Sequence, residues 1–62
     1  MENVEITVSL PPDVAAALAQ FVKRTTWTDA RERATSDKEA YLMMDGVDAI
    51  MRALAEAGHA PR

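Results

Sequence analysis

The chain has 62 residues, no cysteine and one histidine, His59. A chain this short forms one domain, here residues 1–62, and buries only about 60% of its unfolded surface, so it usually gains stability from disulfides, a structural metal or a partner subunit. The composition excludes disulfides and gives a metal almost no ligands, so oligomerisation is the remaining route. The hydrophobic fraction of 48% excludes a disordered chain.

The net charge of −3 gives no general attraction to nucleic acid or anionic lipid. Five of the seven basic residues nevertheless lie between positions 23 and 38. This basic zone fits either a solvated linker or a contact with phosphate or an acidic partner. The chain begins without the pattern of a secretory signal and has no apolar run of membrane-helix length, so we expect a cytoplasmic protein with no membrane contact.

The first predicted element is a β-strand over residues 4–10. Apolar residues alternate there with polar ones: Val4, Ile6, Val8 and Leu10 against Glu5, Thr7 and Ser9. This period of two is typical of a strand with one buried face. Pro11 and Pro12 end it, because proline lacks the N–H that a ladder needs, and Pro12 suits the first turn of a helix.

Two helical segments are expected next. Residues 12–24 form an alanine-rich helix with one apolar face: Val14, Leu18, Phe21 and Val22. Residues 25–35 form a short helix or a loop, since Thr26 or Thr28 can cap a helical turn. We expect Trp27 to pack over the main helices, with an exposed recognition surface as the alternative.

A long helix is predicted over residues 37–57, because Ser36 and Glu39 have capping-box spacing. It carries two adjacent apolar stripes: Ala40, Met43, Val47, Ile50 and Leu54, then Tyr41, Met44, Met51 and Ala55. So wide a surface requires burial against another subunit as well as the first helix. Gly46 indicates a close helix crossing or a kink, and Gly58 a C′ glycine before a tail over residues 58–62.

A lone strand needs a partner for its backbone groups, and pairing with a second copy supplies one. The order strand, helix, helix, and above all the segment "ITVSLPPDV", resembles the ribbon-helix-helix superfamily of dimeric bacterial and plasmid-borne repressors and antitoxins. The resemblance implies a mainly α fold with one N-terminal β-strand that pairs across a homodimer. Residues 20–62 are also similar to small uncharacterised proteins of proteobacterial genomes and mobile elements, which carry no known activity.

The resemblance also implies a DNA-binding site. Family members read the major groove with outward strand residues, which correspond to Glu5, Thr7 and Ser9, and anchor phosphate at the start of the second main helix, at Ser36. Nearby cations would contribute phosphate contacts: Lys23, Arg24, Arg31 and Arg33. The expected function is a transcriptional repressor or a maintenance factor of a plasmid or mobile element that binds double-stranded DNA.

The alternative hypothesis is a protein-interaction module, such as an antitoxin, adaptor or inhibitor, without DNA binding. Its contacts would come from residue types enriched at interfaces: Trp27, Tyr41, Met44 and Met51. We do not expect an enzyme, a cofactor or a metal site, because His59 lies in the tail and the pair Asp45 and Asp48 lacks a third ligand nearby. A solvent-facing role suits those residues better.

Overall fold

The structure is a computed structural model that describes residues 2–59, and this part of the chain contains three helices. Helix α1 spans Pro12–Arg24, α2 spans Trp27–Arg33 and α3 spans Asp37–Glu56. The two shorter helices both pack against α3. The long helix is therefore the element that holds the fold together.

Residues 2–11, which we call the arm, form neither helix nor strand. The predicted strand over residues 4–10 is therefore wrong, and so is the ribbon-helix-helix fold class, since residues 2–59 contain no strand at all. The physical reason is that alternation sets which side chains share a face but supplies no partner for the backbone N–H and C=O groups. The arm keeps its apolar side chains exposed: Val4 by 88%, Ile6 by 70% and Val8 by 65%.

Helix α1 coincides with the predicted helix, but it buries only part of the predicted apolar face: Val22 is buried and Leu18 packs against the core. Its buried residues are Ala15, Ala19 and Val22, whereas Val14 and Phe21, both expected in the core, are exposed. Alanine lets the backbones of two helices approach closely, and a line of alanines on α1 therefore becomes the packing surface. Hydrophobicity alone predicts that Val14 and Phe21 are buried, but the packing of α1 leaves both side chains outside the core.

Helix α2 begins at a capping box, so residues 25–35 contain a helix and Thr26 is its N-cap. The Thr26 hydroxyl accepts a hydrogen bond from the Asp29 N–H at 3.2 Å, and the Asp29 carboxylate accepts one from the Thr26 N–H at 2.9 Å. Two backbone donors that the helix cannot satisfy internally are thereby paired. Reciprocal capping explains how a helix of only seven residues is defined.

Helix α3 begins after Ser36, whose hydroxyl accepts from the Glu39 N–H at 3.1 Å. The Glu39 carboxylate accepts from the Thr35 N–H at 3.0 Å, and not from Ser36 as the capping-box pattern predicts. The helix ends at Glu56, one residue before the predicted end, with Ala57 as its C-cap. No helix within residues 2–59 has the length and apolarity needed to cross a membrane.

The core is small and consists mostly of alanine. One cluster joins α1 to the C-terminal half of α3: Ala15, Ala19, Val22 and Leu54, with Leu18, Val47, Ile50 and Met51 packed against it. Ala30 of α2 and Ala40 of α3 are buried as well. Because alanine removes little apolar area from water, these contacts contribute far less stability than a core of leucine or isoleucine would.

The two glycines occupy different environments. Gly58 has φ +91°, and its N–H donates to the Ala55 carbonyl at 3.0 Å while the His59 N–H donates to Leu54 at 2.8 Å. This Schellman arrangement confirms the predicted C′ glycine. Gly46 lies within the uninterrupted α3, and a Cβ added there would meet no atom within 4 Å. The expected close crossing is thus not found among the described residues.

Substituting the two glycines by alanine should change stability in opposite directions. We expect Gly46→Ala to raise the free energy of unfolding by about 1 kcal/mol, because alanine costs less backbone entropy in a helix and has space there. Gly58→Ala should lower it by about 1 kcal/mol or more, because alanine disfavours a positive φ. Urea unfolding followed by circular dichroism measures both changes. A destabilising Gly46→Ala would contradict the open environment of that position.

Candidate functional site

A groove of about 730 Å³ lies where the C-terminal half of α1 faces α2 and the middle of α3. Residues of all three helices line it: Ala17, Gln20, Phe21, Arg24, Thr25, Asp29, Ala30, Arg33, Met43 and Val47. Two apolar residues of the lining, buried Ala30 and half-buried Val47, are called the floor here, and half-buried Gln20, Thr25 and Asp29 lie beside them in the lining. Its rim includes the exposed side chains of Arg24 and Arg33. The groove therefore combines an apolar floor with two cations at its edge.

Phe21 is the largest apolar side chain of the groove, and 68% of it is exposed. This exposure of Phe21 follows directly from the way α1 packs. Val22 faces α3, and successive residues of an α-helix are about 100° apart, so its neighbour Phe21 is turned toward the groove instead. An aromatic ring at this position offers a large apolar contact with few rotatable bonds, which is typical of a binding surface.

The cations at the rim have no carboxylate partner within residues 2–59. Neither Arg24 nor Arg33 takes part in an ion pair there, and Arg33 donates instead to the Asp29 main-chain carbonyl at 3.1 Å. The acidic group of the lining, the Asp29 carboxylate, caps α2. Arg24 and Arg33 are therefore available to an anionic group on a bound partner.

Hydrogen bonds from Thr26 lower the pKa of Asp29 below the ordinary value of 3.8. The main-chain N–H of Thr26 has the largest effect, followed by its hydroxyl, and the positive charge of Arg33 acts in the same direction. These groups stabilise the ionised carboxylate. The N-terminal cap of α2, and with it one wall of the groove, therefore depends on Asp29 remaining ionised.

We expect Asp29→Asn to destabilise the protein more at pH 7 than in strong acid, well below pH 3.8. The pKa of Asp29 is lowered on folding, so the stabilisation is fully present above its unfolded value of 3.8 and is lost as the pH falls through the lower folded value. Thermal unfolding of both proteins across this range measures the difference. Asp45→Asn, which removes a charge elsewhere on the surface, is the control. An equal effect of Asp29→Asn at both pH values would contradict this role.

The residues predicted to contact DNA are distributed over the arm and all three helices or their caps. Glu5, Thr7 and Ser9 lie exposed on the arm, and Ser36 acts as the N-cap of α3. Arg31 is engaged within the protein: its Nε lies 2.6 Å from Asp37 Oδ1, and its Nη1 donates to the Ala34 carbonyl at 3.2 Å.

The other three predicted cations differ in position. Arg24 and Arg33 both line the groove. Lys23 is exposed in the last turn of α1 and does not line the groove.

The residues predicted to contact a protein partner fall into two groups. Trp27 and Tyr41 lie together, with ring centroids 5.6 Å apart and planes tilted by 45°, and both remain partly exposed. Met51 packs against the core cluster, and Met44 is half-buried. The aromatic pair is thus a surface feature that links α2 to α3, while Met51 serves the interior.

Sequence reasoning did not find the groove itself. The sequence predicts Phe21 as part of an apolar helix face and gives Ala17, Gln20 and Met43 no binding role. No common sequence signal marks these residues, because the apolar pattern of one helix does not relate it to the other helices.

Asp48 and His59, for which the sequence predicts no catalytic or metal-binding role, each have a partner within the protein. Asp48 forms an ion pair with Arg52 at 2.7 Å, and the main-chain N–H of His59 donates to the Leu54 carbonyl. Among residues 2–59, no three His, Cys, Asp or Glu side chains lie together in a way that could hold a metal ion.

Comparison with known proteins identifies one family. No curated protein and no solved structure matches this chain. A family model described as a family of unknown function, DUF7706, matches residues 1–62. The chain, an all-helical protein over its described residues, therefore belongs to the DUF7706 family.

Proposed function

We propose that the chain is a protein-interaction module that binds a polypeptide in the groove between α1, α2 and α3. The observation that carries the proposal is Phe21, which is exposed by 68% over an apolar floor. A large aromatic side chain beside an apolar hollow is the usual anchor of a protein interface. The rim cations Arg24 and Arg33 would fix the orientation of the bound segment through its anionic groups.

The distribution of apolar residues over the chain supports the same proposal. The six buried hydrophobic residues are four alanines, one valine and one leucine, whereas the larger apolar side chains are mostly exposed. Exposed apolar area of this kind typically marks a surface that another molecule covers. Tyr41, exposed on α3, and the Trp27 ring beside it add apolar surface outside the groove.

DNA binding stays a prediction that rests on resemblance. The two-stranded ribbon through which the resembling family reads bases is absent from residues 2–59. Of the four cations expected to contact phosphate, Arg31 is already paired with Asp37. Titration of the protein against random duplex DNA at low and moderate salt tests this prediction. DNA binding through phosphate contacts would show an affinity that falls steeply with salt.

We expect Phe21→Ser to abolish partner binding without unfolding the protein, because the side chain is exposed and lies outside the core cluster. Affinity capture from cells that encode the chain, quantified by mass spectrometry, should recover at least one protein whose amount falls about tenfold or more with this variant. Circular dichroism checks that the fold is retained.

Leu42→Ser is the matched control, because it also removes an exposed large apolar side chain but lies outside the groove. It should keep the captured partner. If every captured protein responds equally to the two variants, or none responds to Phe21→Ser, the groove is not a protein-binding site.

A further inference from the structure

We propose that the occupant of the groove is the arm, residues 2–11, of a second copy of this chain, and that two copies exchange arms in a symmetric dimer. This inference rests on the proposed function and names the partner. It differs from a paired β-ribbon, because each arm contacts the helices of the other copy and not the other arm.

The arm has the apolar side chains that the groove can bury. Ile6 and Val8 are exposed by 70% and 65%, and they lie two residues apart in the chain. In an extended segment such residues point to the same side, so both can face the floor at once while Thr7 faces away. The floor and Phe21 offer apolar partners of matching character.

Charge is complementary between the arm and the rim. Glu2 and Glu5 are the acidic residues of the arm, and neither forms an ion pair within residues 2–59. Arg24 and Arg33 at the rim likewise lack a carboxylate partner there. Glu2 shares the face of Ile6 and Val8, so an arm that lays these two side chains on the floor turns the Glu2 carboxylate toward these guanidinium groups.

The connection between the arm and α1 favours a second copy over the arm of the same chain. The arm joins α1 at Pro12, whereas the groove lies beside the C-terminal half of that helix. The arm would therefore have to reverse direction next to α1 to reach its own groove. Pro11 has φ −56° and ψ 149°, and a proline that follows it cannot take the second central position of a type I or type II turn without strain. The proline pair keeps the arm away from its own groove.

The exposed area of the chain is sufficient for such a dimer. Its accessible surface is 5219 Å², whereas a compact protein of 6.8 kDa exposes about 3,950 Å², so the excess is roughly 1,300 Å². A standard protein interface buries about 800 Å² on each partner. The radius of gyration of 12.5 Å also exceeds the roughly 10.6 Å of a compact chain of 62 residues. Both excesses are those expected of a subunit whose arm packs on another molecule.

The first test is the size of the purified full chain by light scattering and sedimentation, compared with two arm variants. We expect the wild type to be a dimer and Ile6→Asp combined with Val8→Asp to raise the dissociation constant at least about a hundredfold, because charges would enter an apolar floor. Thr7→Asp combined with Ser9→Asp places the same charge on the opposite face of the same arm and should leave the dimer intact. A monomeric wild type, or equal effects of the two variants, would overturn the proposal.

The second test exchanges the charges of arm and rim. Arg24→Glu with Arg33→Glu should weaken the dimer about tenfold, because attraction becomes repulsion, and adding Glu2→Arg to the same chain should restore binding. Lys23→Glu with Lys38→Glu is the matched control, since it changes the net charge from −3 to −7 as the rim variant does but lies outside the groove. If the dimer is not restored, or if the control weakens it equally, the arm does not occupy the groove and the proposal is overturned.

The two proposals fail in different ways. A monomer that still captures a Phe21-dependent protein of another sequence would overturn arm exchange and leave the interaction module standing. A chain that neither dimerises nor captures any Phe21-dependent protein would overturn both.

Discussion

The packing of alanine-lined helices on α3 is the constraint on which the rest of the structure depends. Ala15 and Ala19 of α1, Ala30 of α2 and Ala40 of α3 are buried, and alanine lets helix backbones approach closely. This packing fixes which face of each helix is internal. It also limits the apolar area that the single chain removes from water, and many of the larger apolar side chains lie at the surface.

The groove is a direct consequence of this packing. Because α1 turns its alanines toward α3, Phe21 must point to the side, where α2 and the middle of α3 form the opposite wall. The Thr26 and Asp29 capping box fixes where α2 begins and so where that wall stands. The residues that define the fold thus also create the groove, and the positions of Arg24 and Arg33 at its rim follow from where α1 and α2 end.

The arm is the part of the chain for which a local pattern was misleading. Alternating residues over positions 4–10 are typical of a strand, but a strand exists only when its backbone groups are paired, and residues 2–59 offer no second strand. The alternation is equally suited to an extended segment that lays one face on a helical surface. The apolar face of the arm is therefore set by the sequence. Whether that face belongs to a paired strand or to an extended segment depends on the surface that packs against it.

The first and third helices could be predicted from the sequence, because their boundaries depend on local interactions, whereas residues 25–35 were compatible with a helix or a loop. Pro12, the Ser36 cap and the Gly58 Schellman turn act within a few residues, so their chemistry can be recognised without knowing the fold. Only the tertiary structure decided that Phe21 lies outside the core, that Arg24 and Arg33 share one groove and that Arg31 pairs with Asp37. These facts depend on how closely three helices approach one another, which the apolar pattern of any single helix does not specify.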